Sequence, residues 1–102
     1  MASDKEYKDF ILEQLGSTVT ARAMMGEFTL YDRGKIIGGI YDNRLLLKPV
    51  PAALALTPNP KSEIPYPGAK PMLLIEEVDD REFLQTLTHA MWDQLPPPKK
   101  GK

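Results

Sequence analysis

Cysteine is absent from this 102-residue chain, so it can have neither a disulfide framework nor a thiolate metal site. Histidine is nearly absent: His89 stands alone, which excludes a histidine dyad and any site built on several imidazoles. Long apolar runs are missing too. Runs such as Leu45 to Leu47 and Met72 to Ile75 fall far short of a membrane span, so no membrane partner is expected. Charge of one sign is not in excess either. Thirteen basic against fourteen acidic residues give a formal charge of −1, a poor footprint for a dedicated nucleic-acid binder. The opening MASDKEYKDF has no apolar stretch of the signal-peptide kind, which leaves a cytoplasmic location as the expectation.

What is present is an ordinary globular balance, 42% hydrophobic and 26% charged, in a length suited to one domain. Ser3 and Glu6 have capping-box spacing ahead of Tyr7, Phe10, Ile11, Gln14 and Leu15, predicting a helix over 4–15 that Gly16 stops. Thr18 to Ala23 is β-branched at its start and reads as extended. Three strands follow: Glu27 to Tyr31, Lys35 to Tyr41 and Arg44 to Lys48. Asp32-Arg33-Gly34-Lys35 and Asp42-Asn43 supply the turns.

Pro51 with AALAL predicts a short helix carrying proline in its first turn. Thr57 to Pro71 holds five prolines and can be neither helix nor central strand. Met72 to Val78 predicts another strand. Asp79 to Glu82 then opens a helix striped by Phe83, Leu84, Leu87, Met91 and Leu95. The expected fold is α+β, a mostly antiparallel sheet with helices packed on it, in one domain over 1–95 followed by a disordered Pro/Lys tail over 96–102.

Candidate chemistry is sparse. Glu76, Glu77, Asp79, Asp80 and Glu82 are carboxylates at a strand–helix junction. They suit capping and the helix dipole better than a cation site, since no calcium-loop glycine accompanies them. Gly38-Gly39 lies in a strand with no helix after it, so it is no phosphate loop. It marks a bulge or close approach, with Trp92 or Met91 of the last helix expected over the gap. No serine sits in a nucleophile context. No catalytic residue, cofactor site or metal site is expected.

The run from Arg22 through Met24, Met25 and Gly26 is different in kind. The methionines read as adaptable core packing and Gly26 as a bend or bulge into the next strand. Arg22 either fixes that bend through carbonyls or a carboxylate, or faces a partner. Lys35, Arg44 and Lys48 join it as possible partner-binding residues. A nucleic-acid role would need Arg22, Arg33, Lys35, Arg44 and Lys48 on one face of the sheet.

The segment Val19-Thr20-Ala21-Arg22-Ala23-Met24-Met25-Gly26-Glu27-Phe28 resembles the N-terminal domain of the TfoX/Sxy family of bacterial competence regulators. The likeness continues through Leu30-Tyr31, Gly34-Lys35, Asp42-Asn43 and Leu45 to Lys48, and departs where Met25 and Glu27 replace an aromatic and a second glycine. It implies an α-β(3)-α-β(2)-α order like that of the type III secretion chaperones. It also implies a regulatory, non-enzymatic role connected with DNA uptake and transcription. The family's C-terminal helical domain is expected to be absent here. The resemblance and the residues together predict a protein-interaction domain whose partner is another protein or a second copy in a homodimer. The alternatives are a nucleic-acid-associated regulator of DNA uptake and, behind it, a small-ligand binder or enzyme with a pocket between sheet and last helix.

Overall fold

The computed structural model describes residues 4–96. Ser3 and all but Pro96 of the 96–102 tail lie outside the described residues. The elements run α1 (Lys5–Leu15), β1 (Val19–Met24), β2 (Glu27–Asp32), β3 (Lys35–Tyr41), β4 (Arg44–Leu47), α2 (Pro51–Leu56), β5 (Lys61–Glu63), β6 (Met72–Ile75) and α3 (Arg81–Trp92). The six strands form one antiparallel sheet in the order β1-β2-β3-β4-β6-β5. The α+β architecture is the expected one, and its first group has four strands where the family resemblance implied three. The extended segment 18–23 is a full sheet member that pairs with β2 from Val19↔Asp32 to Met24↔Glu27.

Three two-residue hairpins build the first four strands. Met25-Gly26, Arg33-Gly34 and Asp42-Asn43 all have positive φ at both positions. This is the turn type whose twist matches that of the flanking strands. Asn, Asp and Gly tolerate that conformation, and Arg33 adopts it beside a glycine. Met25, at φ 52, and Arg33, at φ 50, are the two of the six least suited to it.

Alternation divides the sheet into an inner and an outer face. Val19, Leu30, Ile37, Ile40, Leu45, Leu47, Leu73 and Ile75 point inward, where Ile11 and Leu15 of α1 and Leu84, Leu87 and Met91 of α3 complete the core. Ile37 and Ile40 lie three apart in one strand and would normally face opposite ways. A bulge opposite the Leu30/Tyr31 step reconciles them by inserting one extra residue in β3. Gly38, at φ 155, sits at that irregularity, and a Cβ there would be driven against the backbone of Leu46 and Leu47. At Gly39 a Cβ would meet the Tyr41 ring at 2.6 Å and the Phe28 carbonyl oxygen at 2.7 Å. The glycine pair therefore admits a neighbouring strand and a tyrosine of its own strand; the crossing of Trp92 or Met91 expected from sequence is not what fills the gap.

Trp92 has another task. Its Nε1 donates to the Asp32 carbonyl at 2.7 Å, and Lys35 Nζ donates to the Trp92 carbonyl at 3.0 Å. The Lys35 ammonium stands 3.6 Å from the centroid of the Trp92 ring and the Arg33 guanidinium 4.7 Å from it. Each such contact contributes on the order of 1 kcal/mol, and a cation at a helix C-terminus adds to it. At the other end of α3 the Asp80 carboxylate accepts from Phe83 N–H at 3.1 Å, as an N-cap should. Leu95, placed on the helical stripe from sequence, is buried just beyond the helix end.

Candidate functional site

The outer face of the sheet has two unlike halves. Over β3, β4 and β6 it is covered. Leu46 points outward by alternation, yet it is fully buried. The segment between β5 and β6 buries Pro65 and sets Tyr66 with its ring centroid 6.0 Å from that of Tyr41. A recess of about 410 Å³ remains there, lined among others by Tyr41, Lys48, Tyr66, Lys70 and Met72. Burial raises the Tyr41 hydroxyl above its ordinary value, with Tyr66 and Glu27 acting the same way and a hydrogen bond to Thr29 opposing them.

Over β1, β2 and the start of β3 the outer face is open. Thr20, Arg22 and Met24 lie along β1, opposite Tyr31, Thr29 and Glu27 of β2, and Ile36 lies beyond Tyr31 on β3. Met24 is 51% exposed, Ile36 39% and Met25, at the hairpin tip, 98%. The expectation that both methionines pack in the core is corrected: Met24 belongs to the solvent side of an edge strand, and Met25 occupies a turn that projects from the fold. Gly26 provides the second turn position, not a bulge. A shallow depression between Thr20, Arg22, Tyr31 and Gly34 adjoins them. Arg22 makes no ion pair or side-chain hydrogen bond among the described residues, so it does not fix the bend.

The seven residues singled out from sequence therefore separate into different places. Arg22, Met24, Met25 and Gly26 stay together along β1 and its tip. Lys35 is held inward by Trp92. Arg44 pairs with Glu63 at 2.6 Å and donates to the Tyr41 carbonyl at 3.1 Å. Lys48 lines the recess under the covering segment. The five cations that a nucleic-acid surface would need do not gather, because Arg33, Lys35 and Arg44 are engaged elsewhere. Arg22 cannot line a pocket beneath α3 either, since the two lie on opposite faces of the sheet.

Two of the five carboxylates at the acidic junction have structural partners. Glu76 pairs with Lys61 at 3.2 Å and Asp80 caps α3. No group of three or more acidic or histidine side chains among the described residues could hold a metal ion. A polar recess of about 250 Å³ between α1 and α3 escaped the sequence reading; it is lined in part by Ser17, Asp32, Arg33, Thr88 and His89. Asp32 is only 2% exposed there and accepts from Arg33 Nε at 3.2 Å. Beside it Gln85 ties α3 to α1 by donating to the Gln14 carbonyl, while Thr88 donates within α3 to the carbonyl of Gln85. No helix among the described residues is long and apolar enough to cross a membrane.

The chain is similar to an uncharacterized 12.7 kDa protein of the trpE 5′ region of Spirochaeta aurantia, with 37% identity over 105 residues that span all of this chain and 91% of the relative. It belongs to that protein's family. No protein-family model matches the chain, and no solved structure does. The family relation thus reaches the whole domain, including the β1 hairpin and the segment that covers half the sheet.

Proposed function

We propose that this chain is a non-enzymatic, cytoplasmic protein-interaction domain of the TfoX/Sxy N-terminal kind, which works through the open half of its outer sheet face. A regulatory role in DNA uptake and transcription is part of the proposal, and rests on the resemblance of residues 19–48 alone. The observation that carries the interaction reading is the exposure of Met24, Met25 and Ile36 around Arg22, on a sheet face whose other half is covered. Methionine, tyrosine and arginine are residues that protein interfaces favour, and a flat strand surface presents them without a cavity.

Site-specific photo-crosslinking in living cells tests this. A photoreactive residue at Met24 or Ile36 should capture a defined protein, while one at Leu54, similarly exposed on α2, should not. Equal labelling from the three positions would retire the reading. A salt-sensitive shift of duplex DNA by the isolated protein would replace it with the nucleic-acid alternative, which no geometric feature favours.

A further inference from the structure

The two edges of the sheet differ in a way that identifies what one of them receives. An unpaired strand edge invites another strand, and proteins blunt such edges with shortness, lysine, proline or bulges. The β5 edge has these devices: it is three residues long, follows Pro60, and carries Lys61 and Glu63 in ion pairs with Glu76 and Arg44. The β1 edge has six residues in unbroken register, with no lysine, no proline and no bulge. Its only charged residue is Arg22.

The direction of its open hydrogen-bonding groups follows from one contact. Arg33 N–H donates to the Thr18 carbonyl at 3.2 Å, so even-numbered residues here turn their backbone groups toward β2. Odd-numbered residues turn theirs outward. Val19 N–H is used, donating to the Gly16 carbonyl at 3.2 Å. Ala21 and Ala23 have no partner for their outward N–H and C=O groups among the described residues. Both side chains are small and leave the edge accessible.

We propose that β1 accepts an extended segment of a partner protein as an added antiparallel strand, bonded to the main chain of Ala21 and Ala23, with a carboxylate of that segment opposite Arg22. This identifies the partner chemistry of the surface just described and rests on that reading. Arg22 stands between the two bonded positions, at a non-hydrogen-bonded site, where facing side chains approach most closely. It has no anionic partner of its own, and a carboxylate there completes it. Two residues before that acid, the incoming strand meets Met24, so the pattern recognised is apolar, any residue, acidic. Met25 supports the assignment independently. It is fully exposed in a left-handed turn position that asparagine or glycine would fill at lower energy, a cost that a contact at the tip would explain.

A second copy of this chain fits the edge poorly. Pairing Ala21 with Ala23 of another copy sets Arg22 directly against Arg22. Pairing Ala21 with Ala21 leaves the arginines diagonal and calls on the Val19 N–H that Gly16 already engages.

The test uses the intact protein and the peptide acetyl-Thr-Val-Leu-Thr-Asp-Val-Thr-Thr-amide, with a control carrying lysine in place of the aspartate. The aspartate peptide should bind at least tenfold more tightly, and Arg22→Glu should reverse the preference. On binding, the Ala21 and Ala23 amides should exchange more slowly. Ala23→Pro, at an outward-facing N–H, should leave the fold intact and abolish binding. Equal affinity for the two peptides, or unchanged exchange at Ala21 and Ala23, overturns the proposal. Concentration-dependent dimerisation that protects those amides also overturns it, in favour of a second copy. If crosslinks from Met24 and Ile36 persist while the edge amides stay unprotected, the open face still has its partner and only the added strand is wrong.

Discussion

Leu46 and Ile36 point to the same face of the same sheet, and they lead opposite lives. Leu46 lies in the half overlaid by the proline-rich segment and is fully buried; Ile36 lies in the half that nothing in the described residues overlays. The two halves share strand type, pleat and twist, so their difference comes from what the chain between β5 and β6 can reach. The covered half has become a second, smaller core. The open half keeps apolar side chains in water, a state that proteins tend to reserve for contact.

Substitutions can break or sharpen this contrast. The largest effect is expected at Gly39. Gly39→Val would force a side chain into the Tyr41 ring and the Phe28 carbonyl, costing about 3 kcal/mol or more in chemical denaturation. Leu46→Ala should cost about 3 kcal/mol by the cavity it leaves, against less than about 1 kcal/mol for Ile36→Ala. Similar losses at the two sites would mean that the halves are equally covered.

Met25→Asn should raise stability by about 1 kcal/mol, by relieving the left-handed methionine in a turn that suits Asn-Gly. A drop instead would show that Met25 packs against the fold. Thr57→Val, which removes a buried hydroxyl without a partner at the end of α2, should add about 1 kcal/mol. The smallest effect concerns pH. The Tyr41 hydroxyl titrates above its ordinary value of 10.0, so the folded state holds its proton more tightly than the unfolded chain does. Its contribution is fully present below about pH 10 and is lost as pH rises through the folded value. Tyr41→Phe should therefore flatten the alkaline loss of stability measured by thermal melts between about pH 9 and pH 11.

Much of the fold was legible because the information is local. Arg33-Gly34 and Asp42-Asn43 announce their turns by residue type, and the apolar spacing of α1 and α3 announces their buried faces. Met25-Gly26 was illegible as a turn because methionine is the wrong residue for it. That misreading sent two exposed methionines into the core. The site was less legible still. Arg22 stood out in sequence, yet its value depends on β1 being an edge, and strand order is settled by contacts far apart in the chain. Lys35 looked available until Trp92, from the far end of the chain, claimed it, and Arg44 until Glu63 did.

The three two-residue turns also set an order of assembly. No ladder pair among the first four strands is more widely separated in sequence than Val19 and Asp32, so each hairpin closes a short loop. β4 must instead wait for β6 across pairs such as Leu45 and Ile75, with α2 and the proline-rich segment between them. Loop-closure entropy favours the meander forming first and β6, β5 and the cover joining later. During that interval β4 is itself an exposed edge carrying Leu45, Leu46 and Leu47. The nascent chain therefore passes through a moment of vulnerability to aggregation that the finished protein no longer displays.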